Sequence, residues 1–368
     1  MTPGPAVPGT EGPSSRVDEA FWSGRRVLVT GHTGFKGSWL TAWLRRLGAE
    51  VLGYSLPPAT DPSLFEVAGV AEGITHVEGD VRDLGALTAA ATAFRPEVVL
   101  HLAAQSLVRP SYDDPVSTYA VNVMGTVHVL EAARACPDVR VVVVVTSDKC
   151  FENKEWVWPY REGEALGGRD PYSNSKACAE LVTSAYRDSF LSEAGIAVAT
   201  ARAGNVLGGG DWAQDRLVPD IVRSIIAGTP LVLRYPDAIR PWQHVLDPLG
   251  GYMVLAQHLW ERPDIAGAWN FAPGNEEGWP VRRIVRRLAE LLDRPGEWSR
   301  QEGPIPHEAG YLRLDASKAR ALLGWRPRFG IDETLGLIAE WHTGFAAGRP
   351  AAELVDREIA RYEGLVAR

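Results

Sequence analysis

The sequence predicts an α/β protein in which a doubly wound parallel sheet carries a smaller C-terminal domain. Three observations predict it. Short β-branched runs alternate with longer helical patterns from Arg26 onward. Two of those runs, Val98–Leu102 (VVLHL) and Val139–Val145 (VRVVVVV), carry the continuous apolar pattern of strands buried on both faces. The first run leads straight into a glycine-rich turn and a helix.

Taken in order, Arg26–Thr30 (RVLVT) reads as a strand, Gly37–Leu47 as a helix and Val51–Tyr54 as a second strand. Val116–Ala135 supplies a crossover helix between the two apolar runs. Beyond about Ala203 the pattern loosens. Gly208-Gly209-Gly210 and Pro219 mark loops around short helices, with short strands expected at Val232–Arg234 and Trp269–Ala272. We therefore divide the chain into a disordered tail (1–20), a large α/β domain (21–203, with 245–271 returning to it) and a smaller domain (204–244 and 272–368).

Composition narrows the function. The 368 residues suffice for one large or two modest cores, and the formal net charge of -8 argues against a nucleic-acid partner that needs a broad basic face. Arg282-Arg283 and Arg286-Arg287 read as the solvated face of a helix. The three cysteines, Cys136, Cys150 and Cys178, have neither metal-ligand spacing nor an even count, which fits a reduced cytoplasmic compartment and no metal. No apolar run approaches the roughly 20 residues of a membrane span. The Pro-, Gly- and Ser-rich start, Met1 to about Glu19, lacks the regions of a signal peptide.

Gly31-His32-Thr33-Gly34-Phe35-Lys36-Gly37 has G-x-x-G-x-x-G spacing between a predicted strand and a predicted helix. Such glycines allow a tight turn and close approach of the backbone to a pyrophosphate, while the helix offers its N-terminal N–H groups. This is the context of a Rossmann-type dinucleotide site. The acidic residue expected at the end of the second strand is replaced by Tyr54-Ser55-Leu56, so the usual argument for NAD over NADP does not apply. Asp80 and Val81 follow the third strand; Asp80 reads as an adenine contact or as a turn residue. Leu102, Ala103, Ala104 and Gln105 end the fourth strand at the carboxyl edge, where cofactors bind.

Tyr172 and Lys176 form Y-x-x-x-K behind Asp170-Pro171, which suits a helix start. A spacing of four puts both side chains on one helical face. The ammonium is expected to lower the phenol pKa, so that Tyr172 takes a proton from a sugar hydroxyl. The long apolar strand delivers Thr146-Ser147-Asp148-Lys149 to the same edge. Ser147 can bond the reacting hydroxyl, and Asp148 and Lys149 bring titratable groups of opposite polarity together. The bland readings are a helix cap for Asp148 and a surface position for Lys149.

Together the glycine loop, Ser147-Asp148-Lys149 and the Tyr172/Lys176 pair resemble the extended short-chain dehydrogenase/reductase superfamily. Longer stretches resemble its CDP-glucose 4,6-dehydratase family: GHTGFKGSWL (31–40), LHLAAQSLVRPSY (100–112), TSDKCFENKEW (146–156), DPYSNSKACAE (170–180), NVLGGGDWAQDRLVPD (205–220), AIRPWQHVLDPL (238–249) and HEAGYLRLDASKA (307–319). The resemblance runs from about Phe21 nearly to the end of the chain.

That resemblance implies NAD as cofactor, CDP-glucose as substrate and a homodimer or tetramer as the assembly. It implies that Tyr172 deprotonates the C4 hydroxyl as hydride leaves C4, that Lys176 holds the nicotinamide ribose, and that Asp148 protonates the water leaving C6. In dTDP-glucose dehydratases glutamate, the C5 base, stands where Lys149 does here; lysine at this position points to the CDP-sugar branch and leaves the base open. Asn205, Arg216, Leu217 and Arg240 match substrate positions, the two arginines near the diphosphate or in surface ion pairs. Asn270, Ser106 and Arg109 are further substrate candidates. His244 and His307 are expected to serve structure. Trp156, Trp158, Trp212 and Trp242 are expected to pack locally, with base stacking as the alternative.

Two rivals frame this reading. A nucleotide-sugar 4-epimerase shares the glycine loop, Tyr172 and Lys176, but needs no acid–base pair beside Ser147. A cofactor-sensing regulatory protein on the same fold has no need of Y-x-x-x-K.

Overall fold

The computed structural model describes residues 15–214, 216–274, 278–294, 297–301 and 311–365. Its centre is a seven-stranded sheet built from β1 (Arg26–Thr30), β2 (Glu50–Ser55), β3 (Thr75–Glu78), β4 (Val98–His101), β5 (Val141–Val145), β6 (Ala197–Ala203) and β7 (Gly267–Phe271). The spatial order is β3-β2-β1-β4-β5-β6-β7, and every pairing is parallel. The order reverses between β1 and β4. In a parallel α/β sheet this reversal opens a crevice at the carboxyl ends of the strands.

The continuous apolar runs follow from burial on both sides. All five residues of β5 are buried. Alternate residues feed different cores: Val27 and Val29 pack into one layer, Leu28 into the other. The helices are α1 (Phe35–Arg46), α2 (Leu84–Phe94), α3 (Gly125–Ala135), α4 (Pro171–Tyr186), α5 (Leu217–Ala227), α6 (Leu246–Glu261), α7 (Val281–Leu291), α8 (Ile331–Ala346) and α9 (Ala351–Gly364). Helices α1, α6 and α9 cover the first layer, and α2 and α3 the second. A third core joins α5, α7 and α8 around Ile221, Ile284 and Leu335. This smaller lobe caps the carboxyl edge of the sheet with two-stranded pairings, such as Ile239–Pro241 against Gly278–Pro280.

The expected elements shift by one or two residues at their ends. Strand Trp269–Ala272 becomes Gly267–Phe271, Val232–Arg234 becomes Leu231–Leu233, and helix Gly37–Leu47 opens at Phe35. The single helix expected over Val116–Ala135 is interrupted by a wider turn at Ala120–Met124. Residues 1–14 of the expected tail lie outside the described residues, and the described chain begins at Ser15. Asp18 caps a short helix, Glu19–Trp22. The Asp18 backbone N–H donates to Gln257 Oε1 at 3.0 Å, and Gln257 Nε2 donates to the Arg16 carbonyl at 3.1 Å. Among the described residues, no helix is long and apolar enough to cross a membrane.

Candidate active site

One cavity of about 580 Å³ runs along the carboxyl edge, from the turn after β1 to the strand Leu231–Leu233 of the smaller lobe. Gly31, Thr33, Gly34, Phe35, Lys36 and Gly37 line one end. Gly31 has φ +76°, and a Cβ there would lie 2.6 Å from the Ala103 backbone nitrogen. A Cβ on Gly37 would meet the Gly31 carbonyl oxygen at 2.0 Å. Helix α1 opens at Gly34 without a side-chain cap, so its first-turn N–H groups are left for a ligand. This cradle, with no Cβ at Gly31, Gly34 or Gly37, fits a dinucleotide diphosphate.

Asp80 and Val81 line the same end of the cavity. The Asp80 carboxylate is engaged by Arg82 Nε at 2.9 Å, and its carbonyl accepts from the Asp83 backbone, so it also shapes a turn. Past β2, where an acidic residue was expected, Thr33 Oγ1 lies 2.9 Å from Ser55 Oγ and donates to the Leu56 carbonyl at 2.8 Å. Leu102, Ala103 and Ala104 line the floor.

Gln105 does not line it. Its Nε2 donates to Thr118 Oγ1 at 3.0 Å, and its Oε1 accepts from the Leu107 backbone at 2.6 Å. The side chain is turned back to hold its own loop.

At the end of β5 the chain enters a tight turn, Asp148–Cys150, with Ser147 as its cap. Ser147 Oγ donates to Asp148 Oδ1 at 3.0 Å and accepts from the Lys149 backbone at 3.2 Å. Opposite, Asp170 caps α4 by accepting from the Ser173 backbone, with Pro171 in the first turn. That helix start carries Tyr172 and, one turn later, Lys176 into the cavity. Ser147, Asp148, Lys149, Tyr172 and Lys176 all line it.

Burial dominates the electrostatics. It holds the Asp148 carboxyl above its usual range, against Lys149, the Ser147 hydrogen bond, Arg240 and Lys36, all of which pull it down. A carboxyl in such a place tends to keep its proton. The Tyr172 phenol is pushed up to about 12 by burial, with the Ser147 hydroxyl pulling it back. The expected lowering of the phenol by Lys176 is not what the geometry shows. Lys176 Nζ donates to the Val145 carbonyl at 3.2 Å, and burial takes its own pKa down to about 8.

Sequence reading missed the reach of the Lys36 side chain. It leaves the glycine loop and places Nζ 3.4 Å from the Tyr252 hydroxyl of α6. Burial, then Arg216 and Lys176, lower its pKa to about 7. No spacing in the chain links these residues, which meet only because α6 packs beneath the sheet.

Toward the smaller lobe the cavity is lined by Ser106, Arg109, Asn205, Arg216, Leu217 and Arg240. Arg216 Nη2 donates to Ser106 Oγ at 3.1 Å, and Nη1 pairs with Asp211 at 3.4 Å.

Asn270 lies elsewhere. It is fully buried in β7, where Nδ2 donates to the carbonyls of Tyr160 at 3.0 Å and Asp315 at 3.2 Å. It fastens two loops over the sheet's edge and does not face the cavity.

His244 is buried against Glu358 at 3.2 Å, away from the cavity, and His307 lies outside the described residues. Trp242 lines the cavity wall with its Nε1 donating to the Trp279 carbonyl at 2.8 Å. Trp212 packs on Trp341 and Phe345, and Trp156 on Trp158 and Tyr160. The arginine run of α7 is spent on neighbours: Arg287 on Asp332, Arg286 on Glu290, Arg282 on Asp237, and Arg283 over the Trp279 ring.

Comparison with known proteins gives this site its context. The family model described as GDP-mannose 4,6 dehydratase matches residues 28–337. The chain is 50% identical to a CDP-glucose 4,6-dehydratase of Salmonella typhimurium over 358 residues, covering 96% of this chain and 100% of that one. The Thermus thermophilus UDP-glucose 4-epimerase in complex with NAD superposes with a TM-score of 0.74 at 28% identity, covering 86% of this chain and 98% of that one. The dTDP-glucose 4,6-dehydratase DesIV of Streptomyces venezuelae, with NAD and TYD bound, superposes equally well, with a TM-score of 0.74 at 24% identity over 88% and 98% of the two chains.

Proposed function

This chain belongs to the GDP-mannose 4,6 dehydratase family, and from that premise we propose that it is an NAD-dependent lyase converting CDP-D-glucose to CDP-4-dehydro-6-deoxy-D-glucose in deoxysugar biosynthesis. The observation that carries the reading is the turn after β5. A buried carboxyl, Asp148, whose pKa burial holds above its usual range, stands beside the Ser147 hydroxyl in the same cavity as Tyr172 and Lys176. A redox reaction at C4 alone needs no such acid. Loss of water from C6 does.

Gly31, Gly34 and Gly37 would hold the diphosphate of NAD, Asp80 and Val81 would serve its adenine end, and Lys176 would hold its nicotinamide ribose. When bound, NAD supplies the hydride acceptor for C4 and the hydride donor for C6. Tyr172 would take the C4 hydroxyl proton as a phenolate, a form that the positive charge of a bound nicotinamide would favour against the burial that otherwise raises its pKa, and Ser147 would steady the reacting oxygen. The resulting ketone acidifies the C5 proton. Two amines flank Asp148, Lys149 and Lys36, and burial brings Lys36 down to about 7, so a neutral amine is at hand to receive that proton. Asp148 gives its proton to the departing C6 hydroxyl and one water leaves for each sugar converted; the amine's proton goes back to C5 as C6 is reduced, and the proton taken up by Tyr172 replaces the one Asp148 gave. Arg216 and Arg240 face the nucleotide diphosphate, with Ser106, Arg109, Asn205 and Leu217 along the sugar and nucleotide.

Exposed apolar side chains on neighbouring helices, Val116, Met124, Leu181 and Phe190, support a homodimer through that face. Free thiols at Cys136, Cys150 and Cys178 support a cytoplasmic location.

The test is CDP-glucose deuterated at C4, supplied with NAD. The product is expected to carry the deuterium at C6. Deuterium lost to water, or a sugar epimerised at C4, would overturn the dehydratase reading. dTDP-, UDP- and GDP-glucose run in parallel are expected to turn over far more slowly.

A further inference from the structure

Behind the cavity wall lies a carboxylate that the reaction scheme leaves unused. Glu180 follows Lys176 by one turn of α4 and is buried. Its oxygens accept from the Thr146 hydroxyl, from Thr200 Oγ1 at 2.6 Å, and from Arg202 Nε at 2.9 Å and Nη2 at 2.8 Å. Arg202 is held in turn: Nη1 donates to the Glu162 carbonyl at 3.1 Å, and the guanidinium lies 4.8 Å over the Phe151 ring. Thr146 immediately precedes Ser147 and Asp148, and Thr200 and Arg202 lie on the neighbouring strand β6.

We infer that Glu180 is a positioning residue of the reaction, tying the turn that carries Ser147 and Asp148 to the helix that carries Tyr172 and Lys176, and presenting to Lys176 the negative charge that faces it. This rests on the dehydratase reading. The strand end and the helix share no backbone ladder, so side chains must set their separation. A carboxylate with every acceptor position filled is a stiff connector, because each bond fixes the direction of the others.

The charge has a second effect. Burial lowers Lys176, while Glu180 and Cys150 raise it. His101 of β4 faces the same ammonium but stays neutral, pushed down to about 3, and Lys36 opposes it from the glycine loop. Glu180 is therefore the neighbouring carboxylate that keeps Lys176 charged. Without it the lysine loses its proton at lower pH, and its hold on the cofactor ribose weakens there.

The experiment measures NAD affinity against pH by calorimetry, and kcat and KM for CDP-glucose, in three variants. Glu180→Gln removes the charge but leaves Arg202 buried and unpaired, which threatens folding. The double variant Glu180→Leu/Arg202→Met removes both charges and is expected to fold. In either, the alkaline fall in NAD affinity should move toward acid by about one pH unit, and kcat should fall by about tenfold or more. Thr146→Val keeps the charge and removes one tie. It should lower kcat by about tenfold with KM unchanged and leave the affinity profile in place.

A folded double variant with the parent's profile and kcat would overturn the inference, as would Thr146→Val with full turnover. A parent that binds NAD but leaves CDP-glucose untouched sinks the functional reading alone, because the affinity profiles still report on Glu180.

Discussion

The glycine loop after β1 and the Thr146–Cys150 turn after β5 are both strand ends at the same carboxyl edge, yet they are built on opposite principles. The first is bare at its contact points: Gly31 and Gly37 could not carry a Cβ without striking backbone. The second carries Asp148, Lys149 and Cys150 in succession, with the Asp148 carboxyl buried and bonded to the Ser147 hydroxyl. One turn makes room for a ligand by subtraction. The other stores reactivity by burying a carboxyl. Substitutions should therefore fail differently in the two places, through shape in the first and through chemistry in the second.

Gly37→Ala should have the largest effect. With a carbonyl oxygen 2.0 Å from the new methyl, the loop must move, and backbone cannot yield as a side chain would. NAD affinity is expected to fall by at least about a hundredfold, or the fold to be lost; the latter would match the several kcal/mol that strained backbone sites cost. Calorimetric binding and thermal melting decide the matter, and an alanine variant with the parent's affinity would break the contrast.

Asp148→Asn should come next. The side chain keeps its shape but loses its transferable proton, so kcat should drop by about 10² to 10⁴, the range of general acid catalysis. NAD affinity should stay within about threefold, since the cofactor cradle is untouched. The Asp148 pKa is raised in the folded state, so its charged form opposes folding above the ordinary carboxylate range. The asparagine variant is accordingly expected to melt no lower than the parent at neutral pH. A lower melting point together with normal turnover would mean the residue is structural.

Lys36 sharpens the comparison because it begins in the first turn and ends among the chemistry of the second. Its folded pKa of about 7 lies below the ordinary lysine value of 10.5. Between those values the unfolded chain binds the proton more tightly, so stability rises with pH from about 7 upward and levels off near 10.5. The slope contributed is at most about 1.4 kcal/mol per pH unit. Lys36→Met should flatten that rise and stabilise the protein below neutrality, as read from urea melts across pH. Parallel slopes in parent and variant would show that the amine is not desolvated.

The parts of the molecule legible in the sequence share a cause. Strands β1, β4 and β5 announce themselves because burial on both faces forces continuous apolar runs. The smaller lobe is hard to read because its strands are two or three residues long, such as Val206–Leu207 and Gln243–His244, and exist only through long-range pairing. In the site, contiguous motifs named Ser147, Asp148, Tyr172 and Lys176. The contacts of Lys36 with Tyr252 and of Glu180 with Arg202 had no motif to reveal them, because tertiary packing alone makes them. Asn270, a substrate candidate by resemblance, is instead occupied by loops through Tyr160 and Asp315, a contact that tertiary packing alone makes.

The return of β7 to the sheet has a consequence for how the protein comes to exist. Its partner β6 is finished at Ala203, but Gly267–Phe271 must be made before that edge is paired. A chain lacking Gly267–Phe271 would leave the β6 edge open, with unpaired N–H and C=O groups. Such edges recruit other chains. Shortened chains that stop before Gly267 should aggregate more readily than the whole protein, and the two halves should not be separable into independent modules.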